Sequence, residues 1–232
     1  MKTKTRESDG PFRIAVIAAA ILVVVLVITG TSASASANRA TEAGGTQLPH
    51  LPFGKGKNKS GANSKVRLAM QSVGAILVRD NAAGAAKTEP WARGSGVVVS
   101  KDGIIATNMH VLLHDQSDRP FDEIFFMLPD KGAQSLESGR RYNVKVLTVW
   151  PQYDLALLKV STTQGPGAEK FPAVELADSR KTQVLDPLTV IGYPETGGTT
   201  ATVSTGVVQG TDPADGWIKT DARLIHGNSG GA

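Results

Sequence analysis

The sequence predicts an all-β body preceded by one hydrophobic N-terminal helix. Three observations carry that expectation. From Val66 onward, short runs of β-branched and apolar residues recur at close spacing, with turn-forming residues between them. Aromatic residues make up only 5% of the chain while glycines number 25, a balance that suits many short strands and tight turns. A single long apolar run stands apart from this pattern near the N-terminus.

That run, Ile14 to Ile28, has 15 residues and follows Lys2, Lys4, Arg6 and Arg13. It is short beside the roughly 20 residues of a spanning helix, and long enough for the core of a signal peptide. Ala-x-Ala sequences ending at Ala35 and Ala37 offer cleavage points. Residues 1–37 therefore read as a signal peptide or, if Gly30 to Ala33 extend the span, as an uncleaved membrane anchor. Either reading places the rest outside the cytoplasm, because the positive end stays inside. Residues 38–65, rich in Gly, Pro, Asn, Ser and Lys, read as a flexible basic linker.

In the body, Val73–Val78, Gly96–Val99, Ile104–Ala106, Ile124–Leu128, Tyr142–Val149 and Leu155–Val160 read as the six strands of a first barrel within residues 66–161. Ser161 to Glu169 marks the passage to a second half, residues 171–232. There Leu188–Ile191, Thr202–Val208 and Trp217–Thr220 read as strands. Trp91, Trp150 and Trp217 are expected to pack in the core or at the barrel ends.

Charge and cysteine content exclude several functions. The formal charge of +4 is concentrated near the N-terminus, since residues 66–232 hold 16 basic against 18 acidic side chains. Nucleic-acid binding, which needs a positive stripe for phosphates, has no support. With no cysteine, a disulfide framework, thiol catalysis and cysteine metal sites are all excluded.

The strongest local signal is Gly227-Asn228-Ser229-Gly230-Gly231, a serine among glycines. A serine hydroxyl needs a base to become nucleophilic, and the carbonyl it attacks needs donors for its developing oxyanion. Glycines permit a tight turn and close approach to backbone amides, so the amides of Gly227 and Ser229 are the expected oxyanion donors. Alone, the pentapeptide could equally be an ordinary turn.

Of four histidines, His50 lies in the linker and His226 shares the turn of Ser229. His110 follows a strand, Lys-Asp-Gly turn, strand pattern and is the candidate base. His114 shares its i, i+4 spacing. Val111 stands where a zinc-peptidase helix needs glutamate, so no metal or cofactor is expected, and His114 reads as a surface or capping residue. Asp154 immediately precedes the apolar strand Leu155–Val160. It reads either as a strand-capping acid or as the partner of an imidazole, which would satisfy a partly buried carboxylate.

The blocks GSGVVVSKDGIIATNMHVL, DLALLKV and TDARLIHGNSGG together resemble the trypsin-like serine peptidases, specifically the bacterial HtrA/Deg branch. The resemblance covers roughly residues 66–232. It implies the two-barrel chymotrypsin/trypsin-like fold, with His110 as base, Asp154 as its orienter, Ser229 as nucleophile, and Gly227 with Ser229 as oxyanion hole. It further implies protein or peptide substrates in an unfolded state, and a homotrimer. Arg223 and Leu224 occupy positions that line the substrate pocket in that family, where small or apolar residues are usual.

Only three residues follow Ser229, whereas the resemblance implies further strands. The expectation is thus an incomplete second barrel, C-terminal truncation, and no measurable peptidase activity from these 232 residues alone. Two functions compete: an exported serine endopeptidase, or a non-catalytic envelope module that keeps the fold for binding or scaffolding.

Overall fold

The β-branched runs form nine strands across the residues that the computed structural model describes, 59–81, 89–161, 170–194, 198–212 and 216–232. β1 (Val73–Arg79), β2 (Trp91–Ser100), β3 (Ile104–Asn108), β4 (Glu123–Leu128), β5 (Arg140–Trp150) and β6 (Leu155–Val160) close into a barrel of order β1-β2-β3-β6-β5-β4. Every pairing is antiparallel. β7 (Pro187–Gly192), β8 (Thr202–Thr211) and β9 (Ile218–Thr220) form a separate three-stranded sheet. This is the all-β body expected from the sequence, with a closed barrel followed by a three-stranded sheet.

Alternation along the strands fills the barrel. Ile76, Val78, Val98, Ile105, Phe126 and Leu158 are fully buried in one cluster. The largest of them, Phe126, fits because β1 and β2 place two glycines opposite each other, Gly74 against Gly96. A Cβ on Gly74 would stand 2.3 Å from Met127 O and 2.8 Å from the Phe126 ring, and one on Gly96 would stand 3.2 Å from that ring. The missing side chains are the slot into which the ring packs. Gly103, at φ +79°, turns the chain from β2 to β3 as the Lys-Asp-Gly signal predicts.

Several local expectations are corrected. β2 begins at Trp91, five residues before the apolar run, because Trp91, Ala92, Gly94 and Ser95 pair with β1. Cross-strand bonding thus extends a segment whose own composition is poor in strand formers. Helix α1 (Lys59–Met70) begins inside the stretch read as a flexible linker. Its C-terminal residues Ala69 and Met70 bury against Val73, Val97, Ile191 and Tyr193, which gives a Gly- and Ser-containing helix its tertiary support. Trp91 and Trp217 are nearly half exposed rather than in the core, with Trp91 set edge-on to Phe121. The apolar run at 14–28 lies outside the described residues, among which no helix is long and apolar enough to cross a membrane.

Because Phe126 fills the glycine slot completely, Phe126→Ala is expected to lower the stability of the protein by about 3–5 kcal/mol. Chemical denaturation monitored by far-UV circular dichroism measures this, and a loss below about 1 kcal/mol would contradict the packing described.

Candidate active site

Strand pairing brings His110 and Asp154 together. β3 and β6 run antiparallel with Asn108 opposite Leu155, so the residues just after β3 meet those just before β6. β3 passes into a 3-10 turn, Met109–Leu112, that carries His110, while a second turn, Pro151–Tyr153, ends at Asp154. Asp154 adopts the left-handed conformation (φ 48°, ψ 42°), which aspartate tolerates better than most residues.

The Asp154 carboxylate grips His110 twice. Oδ1 accepts the His110 backbone amide at 2.8 Å, and Oδ2 lies 2.6 Å from ring Nδ1. A carboxylate only accepts, so Nδ1 is the donor, and in the neutral ring Nε2 carries the free lone pair. The couple is accessible, with the side chains 54% and 32% exposed. Behind it, Met109 N and Asn108 Nδ2 both donate to the Asp154 carbonyl, at 2.9 and 3.0 Å.

The loop bearing Ser229 is held against this assembly mostly through its backbone. Asn228 N donates to Ile225 O at 3.0 Å, closing a turn whose third residue, Gly227, has φ +94°. A positive φ at that position calls for glycine. Ser95 N donates to Ser229 O at 2.8 Å, and Gly230 N donates to Asn108 Oδ1 at 2.6 Å. A Cβ on Gly230 would meet Thr107 Oγ1 at 2.2 Å and Ser95 O at 2.3 Å, so this glycine is what lets the loop lie against β2 and β3. The amides of Gly227 and Ser229 donate to no partner among the described residues. Ser229 and His110 share no hydrogen bond in this arrangement. Asn108 links the two parts of the site, donating to the Asp154 carbonyl and accepting the Gly230 amide.

The sequence singled out neither Asn108 nor Ser95, although both lie inside the quoted first block. A polar side chain at a strand end two residues before a candidate base was the available signal for Asn108. His114 is not a simple surface residue: Nε2 lies 3.0 Å from Asp80, and Arg119 pairs with the same carboxylate. Burial works to raise the Asp80 pKa, but the hydrogen bonds from His114 and Arg119 outweigh it and hold the carboxyl below its usual range. Nearer the His110 side, the Arg93 guanidinium holds Asp115 low, with smaller contributions from His226 and His110.

Ser229 also borders a cavity of about 310 Å³ whose apolar walls include Leu155, Leu188, Val190, Trp217 and Leu224. Of the two residues expected to line a substrate pocket, Leu224 borders this cavity and Arg223 is exposed outside it. Among the described residues no group of three His, Cys, Asp or Glu side chains gathers as metal ligands.

A barrel that presents a histidine–carboxylate couple beside a glycine-bounded serine loop is the architecture of the trypsin-like peptidases. Residues 94–232 match the trypsin-like peptidase domain family, and the chain belongs to that family. Among curated proteins it is 34% identical over 148 residues to a DegP-like periplasmic serine endoprotease of Brucella suis, covering 61% of this chain and 25% of the relative. A protein of the same name from Bartonella henselae is 34% identical over 151 residues, covering 62% and 26%. The mouse serine protease HTRA4 is 33% identical over 152 residues, covering 61% and 27%. The chain thus spans about a quarter of the length of these relatives.

Replacing Asn108 by alanine leaves the Gly230 amide and one claim on the Asp154 carbonyl without a partner. Asn108→Ala is expected to lower stability by about 1–3 kcal/mol, read from the denaturation midpoint. A neutral result would mean that the two loops are held together by other contacts.

Proposed function

We propose that this protein is a serine endopeptidase acting outside the cytoplasm, with its peptidase domain in residues 66–232. The observation that carries the reading is the doubly bonded His110–Asp154 couple beside a loop that offers Ser229 and two amides without a partner among the described residues. In the proposed reaction His110 Nε2 takes the Ser229 hydroxyl proton as Oγ attacks a peptide carbonyl. The Gly227 and Ser229 amides hold the oxyanion, and Asp154 stabilises the imidazolium. The same proton passes to the leaving amine as the acyl-enzyme forms, and water then repeats the sequence to release the acid.

The relatives named as periplasmic serine endoproteases support an extracytoplasmic location, in agreement with the basic and apolar N-terminal sequence. The substrates proposed are unfolded or loosely folded proteins. The apolar walls beside Ser229 favour an uncharged side chain before the cleaved bond. A non-catalytic binding module is the second reading, favoured by the missing Ser229–His110 hydrogen bond. That bond is often long before substrate binds, so its absence does not outweigh the assembled couple.

A fluorophosphonate probe separates the two readings, because it reacts only with an activated serine. Labelling at Ser229 in the protein at its natural length is expected, and no labelling there would support the module. Ser229→Ala is expected to lower kcat/KM for a peptide substrate by at least about a thousandfold with little change in thermal midpoint. Hydrolysis comparable with the unchanged protein would remove Ser229 from its role.

A further inference from the structure

Ser95 has no accessible surface, yet its hydroxyl makes two hydrogen bonds to parts of the chain far away in sequence. Oγ donates to the Gly227 carbonyl at 2.7 Å and accepts the Tyr193 amide at 2.8 Å. Its backbone takes part as well: Ser95 N donates to Ser229 O, and Ser95 O accepts the Thr107 hydroxyl at 2.7 Å. One residue of β2 therefore holds the carbonyls of both Gly227 and Ser229, the two residues whose amides donate to no partner among the described residues.

The glycines around Ser95 make this reach possible. A Cβ on Gly94 would lie 3.0 Å from Ser229 O, and one on Gly192 would lie 3.0 Å from Ser95 Oγ. With both absent, β2 approaches the loop closely and the hydroxyl has room between Gly227 and Tyr193.

We propose that Ser95 is a positioning residue for the oxyanion hole, acting through the Gly227 carbonyl. This inference rests on the peptidase reading above. A carbonyl and the next amide share one plane, so bonding the carbonyl fixes that plane. In this loop the planes after Gly227, Asn228 and Ser229 are fixed by Ser95 Oγ, Gly231 N and Ser95 N respectively. Only the first of these grips comes from a side chain. It acts on a glycine at φ +94°, a residue with no Cβ to resist rotation. Without the hydroxyl, the plane between Gly227 and Asn228 is held, among the described residues, by the Asn228 N to Ile225 O turn bond alone. The added freedom of rotation about Gly227 lets its own amide, in the preceding plane, shift away from the developing oxyanion. Ser95 touches neither substrate nor reacting atoms, and its effect passes entirely through the donor it orients.

The test is Ser95→Ala in the protein at its natural length, assayed well below its thermal midpoint. A role in positioning predicts that kcat falls roughly tenfold to a hundredfold while KM stays within about twofold. Affinity for a peptide trifluoromethyl ketone, whose serine adduct carries an oxyanion, should fall by the same factor as kcat/KM. Affinity for the matching product-like peptide, which forms no adduct, should not move. Equal weakening of both ligands would show general loosening and overturn the proposal, as would unchanged kcat. Should Ser95→Ala fail to fold, Ser95→Cys keeps a weaker donor of similar shape and is expected to show a smaller loss in the same direction. Unchanged kcat in that variant would equally overturn the proposal. Absence of turnover and of Ser229 labelling in the unchanged protein would overturn this inference together with the peptidase reading. Normal turnover there with no effect of the Ser95 variants would overturn this inference alone.

Discussion

The pairing of β3 with β6 is the constraint on which the rest of the site depends. Its register sets Asn108 opposite Leu155 and brings the His110 turn onto Asp154, 44 residues further along the chain. A slip of either strand by one residue would move its inward apolar side chains to the other face of the barrel, so burial of Ile105 and Leu158 enforces the same register that the histidine and the acid require. Core packing and site geometry are in this sense one requirement. The left-handed backbone at Asp154 is tolerable because the carboxylate and the carbonyl of that residue are both fully engaged by the neighbouring turn.

The serine loop is fixed in a different way, across the boundary between the barrel and the second half. An apolar cluster of Ala69, Val73, Val97, Ile191 and Ala232 surrounds this boundary, and α1 covers one side of it. Within it, reciprocal backbone bonds between Ile191 and Ala232 anchor the end of the loop to β7. Tyr193 is buried here too, and burial pushes its phenol up to about 12, so the ring stays neutral at ordinary pH. Buried polar groups surrounded by apolar ones favour one arrangement strongly, because any slip leaves donors or acceptors without water or protein partners. That is the physical reason a glycine-rich loop, with little stiffness of its own, can hold one conformation beside the barrel.

Much of the fold was legible in the sequence. β-branched runs such as Ile104–Ala106 and Leu155–Val160 marked strands because side-chain shape suits a pleated surface, and Gly103 marked the intervening turn. Three short blocks also identified the family and nominated His110, Asp154 and Ser229 through the chemistry those residue types can perform. Where propensity was weak the sequence was silent. The early part of β2 is a strand because β1 pairs with it, and α1 is helical with Ala69 and Met70 packed beneath the barrel, neither of which composition announced.

What the sequence determined by itself was the presence and order of the strands with strong β-branched runs and the residue types available for chemistry, since these follow from local preference and alternation along a few neighbours. Tertiary structure alone decided which strand lies beside which, and therefore that Asp154 faces His110. It also decided that Asn108 bonds Gly230 and that Ser95 bonds Gly227, partners 122 and 132 residues apart. Hydrogen bonds of that span leave no periodic trace in the chain, because a serine or an asparagine carries the same donors and acceptors wherever it stands. Only the closing of the barrel and the burial of its edge against the serine loop select the partner.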